Sequence, residues 1–290
     1  MEKQPRRKIF GNTISLPDAK EMSFVDHLEA LRWHIIRALL VFVGLVILIF
    51  ANIDWVFDNI ILAPSQNNFI SYTSLCKFSH WLHLGNSLCM PPVKMELQGN
   101  TVSGPFMSAI SIGMVGGLIL AFPYFVWEVW LFIKPALSTK ELKYARGSIF
   151  WVSLCFFIGG AFGYYLLAPF TFNFMANFTL GHSGAYIYRP SLDDYIDTIT
   201  NIILGCGIAF ELPVVAFVLC KLGIITAQYL RKARKYAFVV ILIVAAIITP
   251  SPDWTSQLIV TIPLILLYEI SILLCLKVDK NNAKEQETWS

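Results

Sequence analysis

Tyr236-Ala237-Phe238-Val239-Val240-Ile241-Leu242-Ile243-Val244-Ala245-Ala246-Ile247-Ile248-Thr249, closed by Pro250, is the stretch on which the topology turns. It runs apolar from Ala237 onward. At ~1.5 Å of rise per residue, a helix of this length covers ~21 Å of a hydrocarbon core that is ~30 Å thick. By length alone it is either a short crossing or a buried or re-entrant helix. The choice moves the C-terminus from one side of a membrane to the other.

Five other stretches reach the length of a crossing. Residues 33–53 carry only Arg37, near their start; 106–126 and 148–170 carry no charge; 199–220 contain only Glu211; 254–276 contain only Glu269. Charge placement then decides the short segment. With six crossings, both termini share one side with the segments 127–147 and 221–235, and nineteen of the 22 basic residues fall there. Only Lys77, Lys94 and Arg189 fall opposite. Five crossings would strand the C-terminal lysines outside, against the rule that cytoplasmic loops are positive. The expected fold is therefore an all-α polytopic membrane protein. It has one membrane domain over 1–290, six spans at about 33–53, 106–126, 148–170, 199–220, 236–249 and 254–276, and both termini cytoplasmic.

Composition agrees. Of the 290 residues, 56% are apolar and 14% charged, against roughly 45–50% and 25% in soluble proteins. A soluble chain of this size cannot bury so much apolar surface. The net charge of +3 gives no reason to expect nucleic acid. The polar tail 1–23 continues to the first span without an apolar run, so no cleavable signal is expected. At the other end, 279–290 reads as a polar, mobile tail.

The outer loop from Asp54 to Pro105 holds Pro64, Pro91, Pro92, Gly99 and Gly104, which argues against a continuous helix. A second outer loop is expected over 171–194, and a tight turn at Pro250–Asp253. Cys155, Cys206, Cys220 and Cys275 fall within or at the ends of spans and read as small apolar residues. Cys76 and Cys89 share the long outer loop, where an oxidising periplasm allows a disulfide but spacing alone does not fix one. His80 and His83 form a lone His-x-x-His that reads as loop histidines, and no metal site or cofactor is expected. No nucleophile elbow, phosphate loop or dinucleotide fingerprint appears, so enzymatic chemistry is not expected.

Three stretches carry polar groups where apolar ones would suffice. Phe24-Val25-Asp26-His27-Leu28-Glu29-Ala30-Leu31-Arg32 is either an amphipathic helix at the membrane surface or a carboxylate-bearing platform for a cationic partner. In Trp127 to Glu141 the tryptophans read as an interfacial anchor, Pro135 stops the helix, and Ser138-Thr139-Lys140-Glu141 has the form of a capping box. Glu141 thus has a structural role open to it beside any ligand role. Glu211 lies mid-span in Ala209-Phe210-Glu211-Leu212-Pro213. A carboxylate there costs roughly 2.5–3.5 kcal/mol on insertion scales, so it should face protein or water. Pro213 frees a backbone carbonyl one turn earlier, so a kinked helix with Glu211 in a wet recess is expected.

Taken together, His27-Leu28-Glu29-Ala30-Leu31-Arg32, Phe132-Ile133-Lys134-Pro135-Ala136-Leu137 with Glu141, Phe210-Glu211-Leu212-Pro213, and Thr249-Pro250-Ser251-Pro252-Asp253 with Ser256-Gln257 resemble the TatC family. That family is the multispanning core subunit of the twin-arginine protein translocase. The resemblance runs in order from about Phe24 to Leu276. It implies a receptor for twin-arginine signal peptides of folded cargo, in a bacterial cytoplasmic membrane, with export driven by the proton-motive force. It implies partners, the TatA- and TatB-type single-span subunits, and an oligomer within the complex. It further implies that Glu141, Phe132 and the acidic approach to the first span, here Glu29 with Arg32, bind the signal's arginines. Thr249 and Gln257 match a docking site for partner helices, although both could instead satisfy the turn's own backbone. One departure stands out: the family's binding glutamate lies three residues after the histidine, where this chain has Ala30. Glu29 is adjacent but ~100° around a helix. The competing function class is a proton-coupled small-solute transporter centred on Glu211; the chain shows no internal repeat of the kind such folds carry.

Overall fold

The computed structural model describes residues 24–66, 69–81, 96–134, 139–177, 189–249 and 254–287, without the side chains of 24–27, 75, 78, 81, 139–148, 254–255 and 281–287. Among the described residues the chain is all-helical. In chain order the helices are α1 (Phe24–Ala51), α2 (Ile53–Val56), α3 (Ile70–Trp81), α4 (Gly104–Ile133), α5 (Thr139–Phe162), α6 (Ala168–Asn177), α7 (Leu192–Ala209), α8 (Leu212–Lys221), α9 (Ala227–Ile248) and α10 (Trp254–Glu287). Among the described residues, five helical stretches are long and apolar enough to cross a membrane: Leu28–Ala51, Gly104–Ile133, Ile149–Asn177, Leu192–Lys221 and Ser256–Lys280. The multi-pass architecture rests on these. The segment from Tyr236 is the apolar part of α9, whose first turns carry Arg231, Lys232, Arg234 and Lys235.

Small residues let the long helices approach closely, as they do in lipid, where packing rather than hydrophobic driving force holds helices together. A Cβ on Gly117 of α4 would lie 2.7 Å from Val46 of α1, and one on Gly159 of α5 only 2.5 Å from the Cys206 carbonyl of α7. The core forms where α6, α7, α9 and α10 converge, around Leu167, Phe172, Tyr195, Ile199, Ala245 and Leu264. Conversely, Leu40, Ile47, Ile247 and Leu273 are exposed, an apolar outer surface suited to hydrocarbon.

Several boundaries differ from the sequence reading, each for a physical reason. The third crossing is longer than 148–170: a π-helical turn at Gly163–Leu167 joins α5 to α6, which continues to Asn177. α7 begins at Leu192 rather than 199. Ser191 caps it by accepting from Asp194 N–H, and Asp193 and Asp194 sit in its first turn, where carboxylates favour the positive helix end. Those aspartates had made a helical turn look like loop. The outer loop contains α3, fixed by Phe69 packed against Tyr164 and Tyr165 and by Tyr72 Oη donating to Pro64 O at 2.9 Å. Burial pushes the Tyr72 hydroxyl up to about 12, so it stays a neutral donor. The tail expected to be mobile is helical to Glu287. Its Asp279 carboxylate accepts from the Ala227 N–H at 2.9 Å, satisfying a free donor at the start of α9.

Cys220 and Cys275 are not separate apolar thiols, as the sequence suggested. They are bonded to each other, with Cα atoms 5.6 Å apart, and tie the last turn of α8 to the body of α10. Cys155 and Cys206 are free. Cys76 lies on α3, and Cys89, like His83 and the turn at 250–253, lies outside the described residues.

Candidate functional site

The first turns of α1 and the last turns of α4 share one end of the molecule, because α1 packs along α4. The seam can be followed by contacts. Ile49 meets Gly116, Val46 meets Gly113 and Gly117, Phe42 meets Phe125 at 6.3 Å, and His34 meets Phe132 edge-on at 6.2 Å. With buried Ala38 between Phe42 and His34, these α1 positions recur every three or four residues, the spacing of one helix face. Carried back one turn, the same stripe reaches Ala30. Glu29 and Arg32 lie off it and are exposed.

At the end of this seam sits a polar cluster around Glu128. The residue is 4% exposed. His34 Nδ1 lies 2.5 Å from Glu128 Oε2, so the ring donates its Nδ1–H to the carboxylate. Tyr124 Oη donates to Oε1 at 2.7 Å from one turn earlier on α4. The Arg37 guanidinium approaches Oε1 at 3.7 Å. Both carboxylate oxygens are therefore answered, as a buried charge requires. Phe132 is half-buried against His34 and belongs to the same cluster.

Glu141 lies in the first turn of α5, nine residues beyond Phe132. Its side chain and its capping partner Ser138 lie outside the described residues. The structure thus joins Phe132 to α1 and leaves the Glu141 carboxylate undescribed.

Glu211 sits elsewhere, at the break between α7 and α8. Pro213 has no N–H to continue the α-helical ladder, and tighter bonds replace it: Glu211 N–H donates to Ile208 O at 3.1 Å, and Val214 N–H to Glu211 O at 3.0 Å. The helix is interrupted there, between Ala209 and Leu212. The expected open recess is not present: Glu211 is 9% exposed, and neither carboxylate oxygen has a hydrogen-bond partner among the described residues. The site is closed because α7 packs tightly on α5 on one side and α8 on α10 on the other.

Thr249 and Gln257 flank the α9–α10 turn. Thr249 Oγ1 donates to Ala245 O at 2.9 Å, and Gln257 Nε2 to Leu242 O at 3.3 Å. Thr249 thus bonds a carbonyl of α9's last turn, and Gln257 bonds α9 about two turns from its end, both to backbone, the structural role left open by the sequence. Further along, Arg234 pairs with Glu269 at 2.7 Å between the same two helices.

Sequence reading missed the Glu128 cluster. Its signal was there: His34 and Arg37 are three residues apart in one apolar span, and a carboxylate stands in another. Ionisable groups in such segments seek each other. The flanking tryptophans had drawn Glu128 into an interfacial reading.

Comparison with known proteins gives one consistent result. The family described as Sec-independent protein translocase protein (TatC) matches residues 26–263. The chain is 37% identical over 264 residues to a Sec-independent protein translocase protein TatC of Blattabacterium sp. subsp. Periplaneta americana, covering 91% of this chain and 98% of that one. It is 41% identical over 184 residues to the protein of the same name from Helicobacter pylori strain J99, covering 62% and 72%. Among solved structures it resembles a crystal structure of a twin arginine translocase receptor, TatC, with a TM-score of 0.64 and 29% identity, over 87% of this chain and 99% of that one. The corresponding structure in the detergent DDM gives 0.67 and 30%.

Proposed function

The chain belongs to the TatC family of Sec-independent protein translocase proteins, and from that premise we propose that it is the receptor for twin-arginine signal peptides. In this reading it is the core subunit that exports folded cargo across the bacterial cytoplasmic membrane, driven by the proton-motive force. α9 is the fifth and shortest of six crossings, and both termini are cytoplasmic. The basic turns of α9, with Arg231, Lys232 and Lys235 exposed, support that orientation.

The observation that carries the site is the junction of α1 and α4, where Phe132 contacts the helix that bears Glu29 and Arg32. Glu141 opens the next helix nine residues on. A signal's guanidinium meets Glu141 and Glu29 as a planar fork, donating paired hydrogen bonds that a lysine ammonium cannot reproduce. Phe132 offers the apolar wall beside them. Thr249 and Gln257 mark the edge where single-span TatA- and TatB-type subunits dock, and the chain works as an oligomer within the complex. Cys76 and Cys89 form a disulfide on the outer face. Glu211 and Pro213 give the fourth crossing a polar break that serves transport rather than recognition.

Glu141→Gln tests the assignment. It keeps the shape of the side chain and removes the charge, so crosslinking of a twin-arginine signal peptide should fall while abundance and insertion hold. Losing one charge-assisted contact is worth roughly 1.5–3 kcal/mol. Unchanged crosslinking would refute the site. Loss of stability with normal binding would make Glu141 a helix cap.

A further inference from the structure

We propose that Glu128, through its pairing with His34, is a positioning residue for signal recognition: it sets the rotation of α1 against α4, and so decides which side chains of α1 stand beside Phe132. The proposal rests on the reading of this junction as the signal-binding site.

The contacts between the two helices fall into two kinds. Most of the seam is apolar, with Val46, Ile49 and Phe42 lying on Gly113, Gly116, Gly117 and Phe125. Such a seam sets how close the helices come, but it defines their relative rotation weakly, because apolar side chains repack at small cost. A hydrogen bond is directional, and a buried one fails if either partner turns away. His34 to Glu128 is such a bond, and Arg37, one turn further along α1, approaches the other oxygen of the same carboxylate. Two donors from one face of α1 thus converge on one acceptor of α4.

Tyr124 completes the device from the other side. It lies on α4 itself, so its bond to Oε1 does nothing to join the helices; it orients the carboxylate toward α1. The consequence for recognition is geometric. A one-residue slip of α1 turns its side chains by ~100°. Glu29 and Arg32 are exposed only a turn or so upstream of His34, and such a slip would carry Glu29 off the exposed face and into the stripe that Ala30 now fills. The buried pair is what makes Glu29, rather than its neighbour, a defined part of the surface.

Two measurements test this on the full chain in membrane vesicles and in detergent. The first is binding of a twin-arginine signal peptide per molecule of receptor, in Glu128→Ala, Glu29→Ala, the double variant, and the exchange His34→Glu with Glu128→His. Glu128→Ala is expected to weaken binding about tenfold. Glu29→Ala should cost little more once Glu128 is gone, and the exchange should recover most of the loss. The second is hydrogen exchange of the α1 amides at 28–36, which should quicken in Glu128→Ala and return toward wild type in the exchange variant. Unchanged exchange in Glu128→Ala overturns the proposal whatever binding does, and so do strictly additive losses for Glu128→Ala and Glu29→Ala. Equal binding of arginine and lysine signals by the wild-type chain, with the exchange still quickened in Glu128→Ala, overturns the receptor reading and leaves the positioning role standing. Should Glu128→Ala not accumulate, Glu128→Gln is read in its place, because it still accepts from Tyr124 and lacks the charge that pairs with His34.

Discussion

Glu128 and Glu211 are two buried carboxylates in one membrane domain with opposite circumstances. Every oxygen of Glu128 has a donor, whereas Glu211 has none among the described residues. An unanswered polar group in this setting costs about 1–3 kcal/mol, so Glu211 persists against the protein's own stability. Glu211→Leu should therefore raise the thermal midpoint in detergent while reducing export of a folded twin-arginine reporter, and Glu211→Gln should fall between. Full export by Glu211→Leu would make the carboxylate dispensable. At this scale the sequence was partly legible. Glu211 was conspicuous because its span holds no other charge and Pro213 follows it. The meaning of Glu128 was hidden, because its partners lie 94 and 91 positions away and only folding brings His34 and Arg37 to it.

Helices were easier to read than their ends. Long apolar runs specify spans because each must bury its backbone hydrogen bonds internally, and the break after Ala209 follows from one missing N–H at Pro213. Ends depend on caps and on context outside the apolar run, which is why Ser191 with its aspartates, the π-turn at Gly163 and the helical tail past Lys277 all extended the expected bounds. Pairing between elements was not legible at all. The bond between Cys220 and Cys275 closes a separation of 55 residues and is buried, at 1% and 0% exposure. A loop of that size is worth about 4 kcal/mol in the chain-entropy picture. In the proposed orientation this bond lies at the cytoplasmic face, where reductants prevail, and burial is what shields it. Under denaturing but non-reducing conditions, alkylation should mark Cys155 and Cys206 and spare Cys220 and Cys275, and Cys220→Ser should lower the thermal midpoint. Ready alkylation of Cys220 and Cys275 without reductant would contradict the link.

The whole molecule divides its labour along the membrane normal. The outer end is pinned by polar staples, Ser108 Oγ donating to Asp193 at 2.6 Å and Gln98 bonded to Pro190 and Leu192. The opposite end carries Phe132 at the α1–α4 junction with Glu29 and Arg32 exposed nearby, the groups to which the proposed function gives the reading of the signal. In the proposed function this end selects arginine. The most direct measurement of that selection is the affinity of vesicles containing the chain for a signal peptide with its arginine pair, beside the same peptide with two lysines. The arginine peptide should bind at least about tenfold tighter, a difference of about 1.4 kcal/mol, and Glu141→Gln should erase most of that preference. Equal affinity of the wild-type chain for the two peptides would contradict it.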